Sequence, residues 1–151
     1  MSFVYKPPTE WIAPDVFPTE LLCQAKEIAI DLETRDPNLK ELGPGYIRGD
    51  GEAVGISFAI DGYENYFPFA HESGFNFSKK KVLEFTKKIC ATDSDKIFHN
   101  STYDVGWLTH HGIPVNGRII DTMIVAPLID ENQFWFSLNA LGREYINEGK
   151  S

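Results

Sequence analysis

One short segment, residues 27–34, constrains the fold most strongly, because its sequence is typical of a buried β-strand and yet it carries two carboxylates. Side chains alternate along a strand, so the aliphatic residues Ile28, Ile30 and Leu32 are predicted to face the core, while Ala29, Asp31 and Glu33 share the other face. The two acids lie about 7 Å apart at a rise of roughly 3.3 Å per residue. Carboxylates this close are costly to bury without a cation between them.

The segment therefore favours a metal site, but it does not establish one. Asp-x-Glu triplets are common by chance. The alternative is that Asp31 merely ends the strand and that Glu33 is an exposed turn residue.

The composition is that of a single acidic globular domain. Of the 151 residues, 42% are hydrophobic and 13% aromatic, which is enough for a hydrophobic core. No segment approaches the ~20 apolar residues of a membrane span, and the first eight residues lack the apolar core of a signal peptide, so we expect a cytoplasmic protein. Cys23 and Cys90 are the two cysteines and are not in a CxxC pair, which favours reduced thiols over a zinc site or a disulfide framework.

The net charge of -8 limits the kinds of partner. It argues against a domain that binds duplex nucleic acid mainly by counterion release. It is compatible with an enzyme that acts on nucleic acid through bound divalent cations, since these neutralise both its own acids and a substrate phosphate.

Turn formers and hydrophobic periodicity divide the chain into an arm and a domain. Residues 1–25 hold four of the nine prolines and are predicted to form an N-terminal arm, with a short helix over 19–26; the domain follows over 26–151. The turn-rich segment 34–52 is predicted to be a long loop that leaves directly from the acids. An Asp-Gly pair at 61–62 predicts a tight hairpin between strands 53–60 and 63–69.

The second half of the chain is predicted to alternate between helices and strands. Ser78, Asn100 or Ser101, and Asp121 are candidate N-caps. The expected elements are a helix over 79–90, a strand over 96–99, a helix to 111, a strand over 117–120, and helices over 122–129 and 136–145. None of the four histidines has a metal-ligand spacing, so surface or cap roles are expected for them.

A second acidic residue, Asp104, is predicted to lie in the first turn of the helix after strand 96–99. Asn100 and Asp104 are four residues apart, so a continuous helix would place one above the other. An acid in this position can simply complement the helix dipole. Together with the strand acids it is instead a candidate third metal ligand, because neighbouring strand ends and the helices that follow them converge on ligands in α/β sheets.

Two segments resemble motifs of the DEDD 3'-5' exonucleases. Asp31-Leu32-Glu33-Thr34 resembles the first motif, and His99-Asn100-Ser101-Thr102-Tyr103-Asp104 with Leu108 resembles the second. The segments 120–123 and 137–142 are similar to those that follow in the proofreading domain of family A DNA polymerases, and loop 34–52 is most similar to the phage members. The resemblance implies an α/β, ribonuclease H-like fold with a five-stranded mixed sheet flanked by α-helices.

The resemblance also implies a function and a set of site residues. It implies hydrolysis of nucleotides from DNA 3' ends, in which Asp31 bridges two Mg2+ or Mn2+ ions, Glu33 binds one of them and orients the attacking water, and Asp104 holds the second. Implied substrate contacts are Leu32, Thr34, Asn100 and Tyr103. The implied partners are a single-stranded DNA 3' end and the polymerase domain of a parent protein in phage or bacterial cytoplasm, without a membrane.

The chain departs from the family pattern at its C-terminal side. The fourth acid of the family is an Asp in a Tyr-x-x-x-Asp motif, and the sequence reaches Ser151 without it; Tyr145 is followed by Gly149 at that spacing, and Glu148 is one position short. We therefore expect a C-terminally incomplete domain with weakened metal binding. Two alternatives stay open, namely a catalytically silent fragment that binds single strands or a polymerase partner, and an exonuclease of ribonuclease D type that acts on RNA.

Overall fold

The computed structural model describes residues 11–132 together with Ser137 and Leu141. The strands are β1 Glu27–Arg35, β2 Glu52–Ile60, β3 Tyr63–Pro68, β4 Asp95–Phe98 and β5 Ile119–Asp121. The helices are α1 Thr19–Cys23, α2 Leu39–Leu42, α3 Gly45–Arg48, α4 Lys79–Cys90, α5 Ser101–His110 and α6 Thr122–Ile129. Residues 1–10 and most of the predicted helix 136–145 lie outside the described part, and the boundary between arm and domain stays a prediction.

The five strands form one mixed sheet in the order β3-β2-β1-β4-β5, with the acidic strand β1 in the centre. β1, β2 and β3 pair antiparallel, as the predicted hairpin requires, and β4 and β5 join in parallel beyond β1. Gly62 in the hairpin turn has φ of 79°, which an Asp-Gly turn needs and which favours glycine. The mixed five-stranded sheet predicted from the sequence is confirmed.

The core lies on one face of this sheet. Ile28, Ile30 and Leu32 are 0%, 3% and 8% exposed, and full burial of such a side chain contributes roughly 1.5–3 kcal/mol. They share the core with residues of α4 and α5, namely Val82, Phe85, Ile89, Trp107 and Leu108. Ser78 caps α4 by accepting a hydrogen bond from the Lys81 N–H, as predicted. The alternation in β1 therefore leaves both strand acids on the face opposite this core.

The segment after β1 is more ordered than the predicted loop, since it contains α2 and α3. Its organiser is Asp36, whose side chain is 2% exposed. The Asp36 carboxylate accepts hydrogen bonds from the Gly45 N–H at 2.8 Å, from Arg48 at 3.2 Å and from the Tyr103 hydroxyl at 3.0 Å. A Cβ at Gly45 would lie 2.2 Å from the Asp50 carbonyl oxygen, so the turn into α3 requires glycine.

None of the described helices is long and apolar enough to cross a membrane. Both cysteines are free thiols, and burial raises the pKa of Cys90 to about 11, so this thiol stays protonated. The prediction that both thiols are reduced in the cell stays a prediction.

Candidate active site

Asp31 and Glu33 lie on the open face of β1, Asp31 half-buried and Glu33 exposed. Across the sheet, Asp31 is opposite Ser57 of β2, and Ser57 is opposite Tyr66 of β3. These three residues line a cleft of about 590 Å³. Other lining residues include Trp11, Ala29, Ala59, Glu64, Ile97, His99 and Thr122. The acids predicted to share a face thus lie on a surface that solvent and a ligand can reach.

The acidic end of β1 is distorted by a β-bulge between Glu33 and Thr34. Glu33 is opposite Gly55, whereas Thr34 is opposite Ala53, so the intervening Val54 has no partner in β1. The Val54 carbonyl instead accepts hydrogen bonds from the Phe69 and Ala70 N–H groups. Bulges bend the strand and re-aim its side chains, and they are frequent beside active sites. Here the extra residue, Val54, belongs to β2, so the bulge bends β2 beside the acidic end of β1.

Tyr66 of β3 is a polar side chain on the acidic face and lines the cleft together with Asp31. A Cβ at Gly55 would lie 2.0 Å from the Tyr66 hydroxyl oxygen, so the tyrosine ring extends over Gly55, the residue opposite Glu33. Burial, together with the charges of Glu33 and Asp31, raises the pKa of Tyr66 to about 12. The phenol therefore keeps its proton near neutral pH. Tyr66 was not among the site residues predicted from the sequence.

The first turn of α5 lies beside the acidic end of β1. The Tyr103 hydroxyl is 2.9 Å from the Thr34 hydroxyl and donates to Asp36. Asp104, the next residue in this turn, is 4% exposed. Its position in the first turn is as predicted. Its role as a metal ligand stays a prediction.

Asn100 is at the N-cap position of α5, but its side chain makes no cap hydrogen bond. Its φ of 66° is left-handed, a conformation that Asn tolerates better than most residues. The prediction that Asn100 and Asp104 stack on one helix is therefore wrong, because Asn100 lies outside the helix and departs from helical geometry. Its side chain is exposed at the surface, before the first residue of α5.

Asp121 supplies the caps that Asn100 does not. Its carboxylate accepts hydrogen bonds from the Asn100 and Ser101 N–H groups at 3.0 and 2.6 Å, and from the Met123 N–H at 3.0 Å. It thus caps α6, as predicted, and also α5. Burial by itself raises the pKa of Asp121, but these hydrogen bonds outweigh burial and hold the pKa below its usual value.

The four predicted substrate contacts differ in their accessibility. Leu32 is 8% exposed within the core, which argues against a substrate contact through its side chain. Thr34 and Tyr103 are half-buried, and their hydroxyls bond to each other. Asn100 is the exposed member. Sequence alternation could have excluded Leu32, since it placed this residue with Ile28 and Ile30.

The chemistry of the two strand acids fits a hard divalent cation, which prefers carboxylate oxygens. Within residues 11–132, 137 and 141, no three His, Cys, Asp or Glu side chains form a group that could hold a metal ion. Mg2+ commonly uses only one or two protein carboxylates and completes its shell with water and substrate phosphates. Asp31 and Glu33 match that two-carboxylate pattern. The positions 145, 148 and 149 lie outside the described residues.

The fold is shared with solved nucleases. NrnC of Brucella melitensis, solved with bound Mg2+, has a TM-score of 0.61 at 20% identity over 89% of this chain and 60% of its own. Ribonuclease D of Escherichia coli has a TM-score of 0.63 at 16% identity over 88% of this chain and 31% of its own. At these identities the likeness concerns the fold alone, and it agrees with the predicted ribonuclease H-like class.

Similarity in sequence identifies the family more closely than similarity in fold. A DNA-directed DNA polymerase of Pseudomonas phage M6 is 36% identical over an alignment of 147 residues, and the alignment covers 94% of this chain and 22% of the polymerase. The chain thus spans about a fifth of the length of this curated relative. The family model of the 3'-5' exonuclease of family A DNA polymerases matches residues 17–151. The chain belongs to this 3'-5' exonuclease family.

Proposed function

We propose that the chain removes nucleotides from the 3' end of DNA in a metal-dependent hydrolysis, as the proofreading part of a phage-type DNA polymerase. The observation that carries the proposal is the pair Asp31 and Glu33 on the open face of the central strand, in a chain of the 3'-5' exonuclease family. The DNA polymerase of Pseudomonas phage M6 supports DNA as the substrate. The polymerase domain of a parent protein is the proposed partner, and phage-infected or bacterial cytoplasm the proposed location.

Electrostatics explain why this site would need a cation. The chain carries a net charge of -8, and a phosphodiester that approaches the two carboxylates meets like charge. When bound, Mg2+ or Mn2+ would neutralise this charge and stabilise the attacking and leaving oxygens of an in-line displacement. Asp31 and Glu33 are the residues proposed to hold the metal, and Asp104 is the proposed third carboxylate.

The remaining residues of the cleft would position the substrate. The Thr122 hydroxyl donates to the Phe98 carbonyl at 3.2 Å, so it accepts the hydrogen bond from His99 Nδ1 at 2.9 Å. This fixes the orientation of the His99 ring on the wall of the cleft. Asn100, exposed beside it, is the proposed contact for the terminal nucleotide. The hydrogen bond between Thr34 and Tyr103 joins α5 to the end of β1. It would hold His99 and Asn100, just before α5, in a constant position relative to the strand acids.

The proposal is tested with oligonucleotides labelled at the 5' end and incubated with the chain and Mn2+. Three substrates are compared: single-stranded DNA, the same DNA with a 3' phosphate, and RNA of the same sequence. We expect a descending ladder from unblocked DNA, slower cleavage of blocked DNA, and no ladder with Asp31→Ala or in EDTA. Asp61→Asn, a substitution in the exposed hairpin turn, is the matched control and should keep full activity.

The outcomes separate the alternatives. A ladder that persists in Asp31→Ala indicates a contaminating nuclease. Faster cleavage of RNA than of DNA favours a ribonuclease D-type activity. A folded chain that binds single-stranded DNA without cleaving it, with either metal, favours the catalytically silent fragment.

A further inference from the structure

Tyr66 and Gly55 form a close contact on the acidic face that the metal ligands do not account for. A Cβ at position 55 would lie 2.0, 2.4 and 2.6 Å from three atoms at the hydroxyl end of the Tyr66 side chain. No side chain larger than hydrogen fits beneath the ring. The tyrosine is therefore held with its hydroxyl directly above the backbone of β2.

This contact places the hydroxyl beside Glu33. Gly55 is the residue opposite Glu33 in the ladder between β1 and β2, and Cβ atoms of directly opposite residues are roughly 4.5–5.5 Å apart. The hydroxyl oxygen occupies the position that a side chain at residue 55 would have. It lies within the span that one hydrogen bond, or one bridging water, covers to the Glu33 carboxylate.

The Tyr66 hydroxyl also forms a hydrogen bond with a histidine on the loop after β3. The Tyr66 hydroxyl and His71 Nε2 form a short hydrogen bond. His71 is held by two hydrogen bonds to Asn76, at 2.9 and 3.0 Å, which close the loop after β3. Arg35, at the end of the acidic strand, fixes the same loop by donating to the Ala70 carbonyl at 3.1 Å and by pairing with Glu72. These bonds hold the main chain of His71 in place relative to β1, and the hydrogen bond to Tyr66 orients its ring.

We propose that Tyr66 is a positioning residue of the exonuclease site, in which His71 Nε2–H donates to the Tyr66 oxygen and the Tyr66 hydroxyl donates to the Glu33 carboxylate, directly or through one water. This inference deepens the proposed function and rests on it. A donor aimed at one carboxylate oxygen leaves the other oxygen to face the metal and the substrate. Outer groups of this kind orient metal ligands, and their loss typically costs 10–100-fold in metal affinity or activity.

The test compares Tyr66→Phe with Tyr63→Phe in the DNA cleavage assay, with kcat, KM and the Mn2+ concentration for half-maximal rate as readouts. Tyr66→Phe keeps the ring over Gly55 and removes only the hydroxyl. Tyr63 lies on the same strand and packs against the core side of the sheet, so it is a matched control. We expect Tyr66→Phe to lower kcat at least about tenfold and to raise the half-saturating Mn2+ concentration, with KM for DNA within about twofold. Tyr63→Phe should change neither.

His71 gives an independent variant. His71→Leu should reproduce the loss of kcat, His71→Gln should restore part of it because an amide can still donate, and the double variant with Tyr66→Phe should be no worse than Tyr66→Phe alone. Equal kcat and Mn2+ dependence in Tyr66→Phe and the unaltered chain would overturn this inference while leaving the proposed function intact. Absence of cleavage by the unaltered chain, at the level of Glu33→Gln, would overturn both.

Discussion

Asp121→Asn is expected to destabilise the fold, because one carboxylate caps two helices. Oδ1 accepts hydrogen bonds from the Asn100 and Met123 N–H groups at 3.0 Å each, and Oδ2 accepts from the Ser101 N–H at 2.6 Å. An asparagine can turn its single oxygen toward Asn100 and Met123, but its amide nitrogen then faces the Ser101 N–H. One charge-assisted hydrogen bond is lost, which costs about 1.5–3 kcal/mol.

The assay is thermal unfolding followed by circular dichroism at pH 7. A loss of about 2 kcal/mol corresponds to a decrease in Tm of roughly 4–8 °C for a domain of this size. Asp61→Asn, in the exposed hairpin turn, is the matched control and should shift Tm by less than about 2 °C, since surface changes are usually within ±0.5 kcal/mol. Equal shifts in the two variants would refute the double-cap argument.

The same variant has a defined pH dependence. The pKa of Asp121 in the folded state lies below its usual value, whereas in the unfolded chain it is about 3.9. The folded state therefore releases this proton more readily, and the resulting stability is present above the unfolded pKa and is lost as pH falls through the folded pKa. The Tm difference between the unaltered chain and Asp121→Asn should be largest at pH 7 and shrink below about pH 4. A difference that grows with acidity would contradict this sign.

Three further substitutions test the packing around the site. Gly55→Ala places a methyl group 2.0 Å from the hydroxyl oxygen of Tyr66, so the ring must move; DNA cleavage should fall at least as far as in Tyr66→Phe, and unchanged cleavage would contradict the contact. Lys96→Met removes a fully buried ammonium that donates to three oxygens. Its free energy of unfolding, measured in urea, should fall by about 1–3 kcal/mol because these oxygens lose their donor. An unchanged free energy of unfolding would contradict this argument. Tyr103→Phe removes the hydroxyl that donates to Asp36; the loss in urea should be about 0.5–3 kcal/mol, with the far-ultraviolet circular dichroism unchanged.

The fold was predictable where local patterns determine it. The alternation of Ile28, Ile30 and Leu32 with the acids fixed which face of β1 is buried, and the Asp-Gly pair at 61–62 fixed the hairpin. Such patterns are read over a few residues, so no long-range contact has to be known. The five-stranded sheet followed from the order of these elements and from the family resemblance.

The site was only partly predictable, because several of its contacts join distant parts of the chain. Asp121 was expected to cap α6, but its hydrogen bond to Asn100 spans 21 residues and no local pattern indicates it. The position of Tyr66 depends on the absence of a side chain at Gly55, on the neighbouring strand. His71 was assigned a surface or cap role; its partner Tyr66 is only five residues earlier, but no local motif indicates that the loop after β3 turns its ring back toward this strand.

The long segment after β1 shows a further limit of local reading. Its glycines and prolines predicted a loop, but Asp36 collects hydrogen bonds from Gly45, Arg48 and Tyr103 and so orders two short helices. Composition does not distinguish a turn-rich loop from a turn-rich segment that is organised by one buried acid. A buried carboxylate needs several hydrogen-bond donors around it. An acid at the start of a turn-rich segment was therefore the available sign that the segment folds around it.

The most direct measurement is the amount of nucleoside monophosphate released from single-stranded DNA with Mn2+, separated by chromatography, for the unaltered chain and for Glu33→Gln. Glu33 is exposed, so this substitution leaves the core unchanged and alters only the charge of the acidic face. We expect the unaltered chain to release mononucleotides from the 3' end and Glu33→Gln to release at least about 100-fold less, as for loss of an electrostatic group at a reaction centre. Equal release from the two proteins would contradict a nuclease site at Asp31 and Glu33.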